Sequence, residues 1–179
     1  MVRYFLICVF SVLMHAAAAQ KINFSGSVQF VSEAPLEIIR ADSKKLRGVI
    51  DPASRSFAFS VELKTLDGFN SSLQKEHFHE NYMESAKFPS ISYAGKMLDV
   101  IPLDKDGVYT CRTKGMFTIR GCSRERIINN TITVKGGYIS IESQFFILLS
   151  DHQITVPKIV HKKIAEEIRV NVKANSVRA

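Results

Sequence analysis

The strongest constraint on the fold of this chain is a period-two alternation of apolar and polar residues along most of its length. Side chains of a β-strand point alternately to opposite faces of a sheet, so this alternation predicts half-buried strands. In SFAFSVEL, for example, Phe57, Phe59 and Val61 fall on one face. Further segments show the same pattern: INFSGSVQF, VYTCRTKGMFTIRG, RIINNTITV, YISIESQFFILL and EEIRVNVKA. Shorter strand candidates lie at residues 36–41, 46–50 and 90–98.

Turn-forming dipeptides separate these strands, and their spacing predicts an all-β fold. They are Asp51-Pro52, Asp67-Gly68, Asp106-Gly107 and Gly136-Gly137. About eight or nine antiparallel strands joined by short turns predict either a β-sandwich or a closed barrel. Several strands are long and carry one continuous apolar face, which favours a barrel around an elongated interior. Gly115, inside one of these strands, predicts a bend or a bulge.

One segment, residues 71–85 (SSLQKEHFHENYMES), breaks the alternation and predicts a short helix. Ser71 or Ser72 is the expected N-cap, because a serine hydroxyl accepts a hydrogen bond from the free N–H groups of a first turn. Pro89 ends the segment, since proline disfavours helical backbone at the residue before it. A second short helical stretch is predicted at residues 156–164, beginning near Pro157.

The first residues of the chain, MVRYFLICVFSVLMHAAAA, predict a secretory signal peptide. A basic residue (Arg3), an apolar run and small residues ending at Ala19 are typical of such a peptide. The apolar run is shorter than the roughly 20 residues that a helix needs to span a bilayer. We therefore expect a signal peptide at residues 1–19, one domain at residues 20–179, and a periplasmic or secreted protein.

The charge of the chain bears on its partners. The sequence holds 24 Lys and Arg against 17 Asp and Glu, and removal of the signal peptide takes away only Arg3. This excess of positive charge is consistent with a mild non-specific attraction to anions, and a transient contact with a membrane surface is expected. The basic residues are scattered and are not interleaved with aromatic residues, so nucleic-acid binding is not expected. The sequence leaves the oligomeric state open, a dimer included.

The histidines of the predicted helix do not have the spacing of a metal site. The segment HENYM begins like the zinc motif H-E-x-x-H, but Met83 occupies the second histidine position. His77 and His79 would lie about 200° apart at roughly 100° per helical residue, so they cannot bind one metal together. No nucleophile elbow, neighbouring Cys–His pair or glycine-rich phosphate loop is found in the sequence. We therefore predict no metal ligands and no catalytic residues.

The same helix carries a family resemblance. Residues 77–95, HFHENYMESAKFPSISYAG, closely resemble the signature HFNENYMES-x-K-[FY]-P-x-[AI]-x-[FY]-x-G of the YceI-like lipid-binding family. Three other blocks are similar to that family in the same order: LRGVIDPASRSFAFSVELKTLDGFNSSL, DGVYTCRTKGMFTIRG and FFILLSDHQITVPKIVHKKIAEEIRVNV. The departures are His79 in place of asparagine, Phe117 in place of leucine, and an unusual turn at residues 120–123.

The resemblance implies both a fold and an activity. The implied fold is all-β with a short helix: an extended, antiparallel, lipocalin-like β-barrel of about eight strands, exported from the cytoplasm. The implied activity is binding of a long apolar ligand, a polyisoprenoid or a quinone-like lipid, inside the barrel. The ligand would be carried or sequestered without catalysis, and no other cofactor is expected.

The residues expected to line such a lumen are apolar and lie on the inward face of the predicted strands. They are Phe57, Phe59, Val61, Phe117, Ile119, Ile139, Ile141, Phe145 and Ile147. Polar side chains on or near the helix, His77, Asn81 and Tyr82, are candidates for hydrogen bonds to a lipid headgroup. The sequence equally allows Phe78, Tyr82 and Met83 to attach the helix to the barrel.

Two alternatives stay open at this level. Any small barrel has inward apolar residues, and a barrel of about eight strands either fills its lumen with side chains or holds one ligand. A filled lumen would favour a module that binds a partner through its surface. A metal-assisted hydrolase is the third hypothesis, although the ligand spacing does not favour it.

Overall fold

A computed structural model describes residues 20–177 of the chain. The predicted signal peptide, residues 1–19, lies outside the described residues. Within them, eight strands form a closed antiparallel barrel in which each strand pairs with the next and the last pairs with the first. The strands are β1 (Ile22–Glu33), β2 (Ile38–Asp51), β3 (Ser56–Glu62), β4 (Ser90–Met97), β5 (Gly107–Ile119), β6 (Cys122–Lys135), β7 (Tyr138–Leu148) and β8 (Glu167–Ser176). The predicted lipocalin-like barrel is confirmed.

The helical segments gather at one end of the barrel. Connections of an antiparallel meander alternate between the two ends, so β1–β2, β3–β4, β5–β6 and β7–β8 meet at the same end, here called the lid end. The β3–β4 connection contains helix α1 (Ser72–His77), which continues as a π-helical turn, Phe78–Tyr82. We call these two together the lid. Ser71 is its N-cap, and the Ser71 hydroxyl accepts a hydrogen bond from the Gln74 N–H at 3.1 Å.

The β7–β8 connection adds two short 3₁₀ turns, Leu149–His152 and Lys158–Val160. The second turn follows Pro157, where a short helical stretch was expected. Within residues 20–177, no helix is both long enough and apolar enough to cross a bilayer. The lid end therefore carries the helical structure of the described chain, and the opposite, distal end carries the other strand connections.

Strand β2 is one long strand where the sequence pattern suggested two short ones. The polar run Asp42-Ser43-Lys44-Lys45 interrupts the alternation, yet the strand continues through it. Asp42 and Ser43 pair with β1, and the pairing resumes at Leu46 after a register shift. Ser43 faces inward and is 1% exposed. Its hydroxyl lies 2.6 Å from the Thr65 hydroxyl, and this hydrogen bond satisfies a polar group where an apolar residue was expected.

The bulge predicted at Gly115 is not present; the pairing of β5 stays regular there, with Gly95 of β4 directly opposite. A Cβ on Gly95 would lie 2.1 Å from the Lys114 carbonyl oxygen, so the two glycines permit a close approach of the strands. The register shift lies instead between Gly26 and Val28 of β1. There a Cβ on Gly26 would lie 2.0 Å from the Lys173 carbonyl oxygen.

The buried apolar side chains form two clusters along the barrel axis. The distal core includes Phe24, Ile50, Phe57, Met97, Ile132, Val134 and Ile139. The lid core includes Leu63, Leu66, Met83, Phe117, Ile128, Ile147, Ile154 and Val170. The distal core packs the barrel interior, whereas the lid core surrounds an open space.

Candidate functional site

A cavity of about 380 Å³ occupies the lid end of the barrel, between the strands and the lid. Its wall is formed mostly by apolar side chains of seven strands (all but β6), of the β3–β4 connection with its lid, and of the β7–β8 connection. They include Val28, Phe30, Ile39, Val61, Leu66, Phe69, Phe78, Met83, Ile91, Phe117, Ile119, Ile147, Ile154, Ile164, Ile168 and Val170. An apolar cavity with a few polar groups at its opening is typical of a site for an apolar ligand.

Two smaller cavities continue the lid-end cavity along the barrel axis. The middle cavity has a volume of about 90 Å³ and shares Val61, Phe117 and Val170 with the lid-end cavity. The deep cavity, of about 40 Å³, shares Phe59 and Asn130 with the middle one. The lumen therefore tapers from the lid end toward the distal core.

The structure places eight of the nine predicted lumen residues on these walls. Ile119 and Ile147 line the lid-end cavity, Val61 and Phe117 line the lid-end and middle cavities, and Phe145 lines the middle cavity. Phe59 and Ile141 line both the middle and the deep cavities, and Phe57 lines the deep cavity. Ile139 instead packs in the distal core, away from the three cavities. Their part in ligand binding stays a prediction.

An aromatic cluster attaches the lid to the barrel; the sequence allowed this role for Phe78 but did not indicate its ring partners. Phe30 of β1 stacks on Phe78 of the lid with ring centroids 5.4 Å apart. Phe69 contacts both rings, at 5.9 Å from Phe30 and 5.0 Å from Phe78. All three rings also line the lid-end cavity. Phe30 lies on the inward face of its strand, so the sequence pattern indicates its position. Its contacts with Phe69 and Phe78 depend on tertiary packing alone.

Polar side chains surround the opening of the lid-end cavity. Glu37, in the β1–β2 connection, accepts hydrogen bonds from Asn70 Nδ2 at 3.1 Å and Gln74 Nε2 at 3.0 Å, which tie that connection to the lid. Glu37, His77 and Lys163 line the opening. Polar groups at the opening and apolar groups below it would orient an amphipathic ligand with its head outward.

The three predicted headgroup contacts do not lie in equivalent places. His77 is exposed and lines the opening, whereas Tyr82 is half-buried and lines the cavity wall. Burial raises the pKa of the Tyr82 hydroxyl above its ordinary value. Asn81 is exposed and is not part of the cavity wall. The geometry brings His77 to the opening and Tyr82 to the cavity wall, and it leaves Asn81 facing solvent.

The far end of the lid is held by an ion pair. Arg120, in the β5–β6 turn, pairs with Glu84 just after the lid, and its Nη1 donates to the Gln153 carbonyl oxygen at 2.7 Å. The pair lowers the pKa of Glu84 below its ordinary value, because the Arg120 guanidinium donates a hydrogen bond to the carboxylate. Arg120 lies in the turn where this chain departs from the family pattern.

A belt of polar side chains lies on one side of the lumen, on the neighbouring strands β4 to β7, where the middle cavity meets the deep one. We define the polar belt as Tyr93, Thr113, Asn130 and Ser143. Asn130 Nδ2 lies 3.0 Å from Thr113 Oγ1 and 2.9 Å from the Cys111 carbonyl oxygen, and Ser143 Oγ donates to Asn130 Oδ1 at 2.5 Å. The Tyr93 hydroxyl lies 3.0 Å from the Thr113 carbonyl oxygen. Leaving one such buried group without its partner costs about 1–3 kcal/mol.

The lid histidine of the near-zinc motif makes contacts within its own segment. The Nδ1 atom of His79 lies 2.8 Å from the Ser85 hydroxyl, and its ring contacts Phe78 edge-on at 5.2 Å. Burial lowers the pKa of His79, and the charge of Lys75 lowers it further. Within residues 20–177, no three His, Cys, Asp or Glu side chains are grouped so that they could hold a metal ion.

A closed barrel whose lumen opens at one end beneath a helical lid defines a β-barrel protein with an internal binding cavity. The chain belongs to the YceI-like domain family, whose family model matches residues 15–176. A search of curated protein sequences finds no match to this chain.

Solved structures share the fold at low sequence identity. A polyisoprenoid binding domain from Saccharophagus degradans, implicated in plant cell wall breakdown, matches with a TM-score of 0.75 and 11% identity over 89% of this chain and 98% of that one. Burkholderia cenocepacia BcnA matches with a TM-score of 0.69 and 14% sequence identity, over 84% of this chain and 96% of that one. The Campylobacter jejuni YCEI protein matches with a TM-score of 0.59 and 17% sequence identity, over 79% of this chain and 86% of that one. These similarities establish the barrel fold.

One buried histidine beside the cavity predicts a pH-dependent stability. His152 is 0% exposed, its Nδ1 lies 3.0 Å from the Cys122 carbonyl oxygen, and its Nε2 has no partner. Since the carbonyl only accepts, Nδ1 carries the proton and Nε2 is an unpaired acceptor. Burial lowers the pKa of His152 below its ordinary value, although the hydrogen bond to Cys122 opposes the shift.

We expect the free energy of unfolding to fall as the pH drops below about 6.5, because the unfolded chain binds a proton at this histidine before the folded chain does. One such group contributes a slope of at most about 1.4 kcal/mol per pH unit. Urea unfolding of the wild type and His152→Asn between pH 7.5 and 5.5 would measure it, with the asparagine keeping a donor for the Cys122 carbonyl. Equal slopes for the two proteins would contradict the prediction.

Proposed function

We propose that this protein is an exported lipid-binding protein that holds a polyisoprenoid or quinone-like lipid in its barrel, for carriage or sequestration and without catalysis. The observation that carries the proposal is the tapering apolar lumen, open beneath the lid and lined by the side chains described above. Export rests on the sequence pattern of residues 1–19. Membership of the YceI-like family and the likeness to a polyisoprenoid binding domain support the ligand class.

The shape and chemistry of the lumen favour a long apolar tail over a compact polar ligand. Each buried methylene stabilises a complex by about 0.8 kcal/mol, so a tail of a few isoprene units offsets the cost of association. Branched aliphatic and phenylalanine side chains form the wall, and they leave few hydrogen-bond partners for a polar ligand below the opening. The tail would lie in the lumen with the headgroup near His77, Tyr82 and Lys163.

The lid end also has the character of a membrane-contacting surface. Ile159 is 92% exposed, next to the cavity-lining Val160, and Leu73 of the lid is 57% exposed while it lines the opening. Lys158 and Lys162 flank Ile159 and are exposed. Apolar side chains inserted at the acyl boundary, with lysines at the headgroups, are the pattern of a protein that contacts an anionic bilayer. A lipid would then pass between bilayer and lumen through the same opening.

Filling the cavity should weaken lipid binding while leaving the fold intact. Val170 lies on the walls of both the lid-end and the middle cavity. We expect Val170→Trp to lower lipid affinity at least about tenfold, and to change the free energy of unfolding by less than about 1.5 kcal/mol because the added ring enters empty space. Retention of geranylgeraniol after extraction, together with urea unfolding, would measure both effects.

The control is Val108→Trp, which makes the same substitution at a side chain that is 70% exposed. It should bind geranylgeraniol like the wild type. Wild-type binding by Val170→Trp would instead favour a barrel that acts through its outer surface.

Charge at the tip of the lid end should slow lipid transfer from membranes. We expect Ile159→Glu to reduce the rate of geranylgeraniol uptake from vesicles containing phosphatidylglycerol by about tenfold, because it removes an inserting side chain and repels the anionic surface. Val100→Glu is the matched control, since Val100 is 80% exposed in the β4–β5 connection at the distal end. Stopped-flow transfer of a fluorescent prenyl lipid would measure the rates. Equal slowing by both variants would exclude a specific contact of the lid end.

A further inference from the structure

We infer that the lumen selects lipids by tail length, and that the polar belt of Tyr93, Thr113, Asn130 and Ser143 is the floor at which the tail ends. The inference rests on the proposed function and adds the ligand's size class: a prenyl tail of about three to four isoprene units. Lipids with much longer prenyl tails would be poor ligands. No single strand contains this floor, because its four side chains come from β4, β5, β6 and β7.

The first observation is that the polar belt satisfies its own hydrogen bonds. The Asn130 amide group donates toward Thr113 and the Cys111 carbonyl oxygen, and its oxygen accepts from Ser143. Thr113 Oγ1 also lies 3.2 Å from the Ile128 carbonyl oxygen. Because these groups are already paired, they offer little to a ligand headgroup. A tail end that reached this region would lie against polar groups, and displacing any one of their hydrogen bonds would cost more than one more buried methylene gains.

The second observation is that almost no space lies below the belt. The deep cavity measures about 40 Å³, less than half of the middle cavity above it. Aromatic side chains fill this region: the ring centroids of Phe57 and Tyr93 are 4.8 Å apart, and those of Phe24 and Phe59 are 5.8 Å apart. Close-packed interiors yield little without loss of stability, so the distal core is a steric barrier behind the polar one.

The third observation sets the length above the belt. Leu149, just after β7, lines the lid-end cavity, and Ser143 of β7 lines the middle one. A strand rises about 3.4 Å per residue, so these two residues, about six positions apart, are separated by roughly 20 Å along the strand. A strand tilt of about 40° leaves roughly 15 Å along the barrel axis. An extended carbon chain with bonds of about 1.5 Å advances about 1.3 Å per bond, so roughly twelve bonds fit, or about three isoprene units. The lid adds depth for about one unit more.

This geometry predicts how binding depends on tail length when a bilayer competes for the lipid. Up to the floor, each added isoprene unit is buried both in the protein and in the bilayer. Beyond the floor, each added unit is still buried in the bilayer but has no place in the lumen. The equilibrium share held by the protein should therefore fall steeply once the tail exceeds the lumen.

The test loads phosphatidylcholine vesicles with equal amounts of farnesol, geranylgeraniol and solanesol, prenyl alcohols of increasing length, and equilibrates them with the purified protein. The protein is then separated from the vesicles, and its lipids are extracted and quantified by mass spectrometry. We expect farnesol and geranylgeraniol to be retained at least about tenfold over solanesol, relative to the vesicle pool.

Two variants move the floor in opposite directions. Asn130→Ala with Ser143→Ala removes the centre of the belt, and should raise the retention of solanesol relative to farnesol by at least about fivefold. Phe145→Trp narrows the middle cavity above the belt and should shift retention toward farnesol. The control is Val134→Ala. Val134 lies in the distal core and is 2% exposed, so its truncation should lower the free energy of unfolding without changing how retention depends on tail length.

The outcomes separate the inference from the proposed function. If the wild type retains none of the three alcohols, the proposed lipid binding is wrong. If solanesol is retained as well as geranylgeraniol, or if Phe145→Trp and the belt variant both leave the profile unchanged, lipid binding stands and the floor is wrong. If the belt variant fails to fold, the shift produced by Phe145→Trp decides the question.

Discussion

The pairing of β8 with β1 is the interaction on which the rest of this structure depends. It turns a meander of eight strands into a closed barrel, leaves no open sheet edge, and creates an interior that side chains must either fill or leave open. The seam requires the two backbones to approach closely at Gly26, where a Cβ would meet the Lys173 carbonyl oxygen. The enclosed interior, with a cavity that opens only beneath the lid in the described structure, follows from this closure.

The interior divides into a filled half and an open half because of where large side chains lie. Phe24, Phe57 and Phe59 pack against one another in the distal core, whereas the phenylalanines of the lid core lie around a space that the lid covers. The polar belt lies between the two halves and is satisfied by its own members. One end of the barrel therefore contributes stability, and the other end is free to bind an apolar tail.

Much of the fold was readable from the sequence, and much of the site was not. Alternation predicts which side chains face inward, and Phe59, Phe117 and Ile147, which it puts on the inward face, line the cavities of the structure. Alternation does not predict how far along the barrel axis a side chain lies. Ile139 faces inward as the pattern indicates, but it lies in the distal core and not on the cavity walls. Whether a lumen is open depends on the summed volumes of side chains from all the strands. The pattern of residues within one strand does not determine this total volume.

Polar residues inside the barrel were the hardest to interpret. Ser43 interrupts the alternation of β2, so the sequence pattern predicted two strands in place of one. Its hydrogen-bond partner, Thr65, is distant in sequence, and no local pattern therefore indicates that this serine is buried. Asn130 finds its partners on β5 and β7, which pairing alone brings together. The most direct test of lipid binding is native mass spectrometry of the protein purified without detergent after export, followed by solvent extraction of any bound lipid. A discrete adduct that extracts as a prenyl or quinone lipid is the predicted result; a protein that stays empty, even after incubation with prenyl lipids, would contradict it.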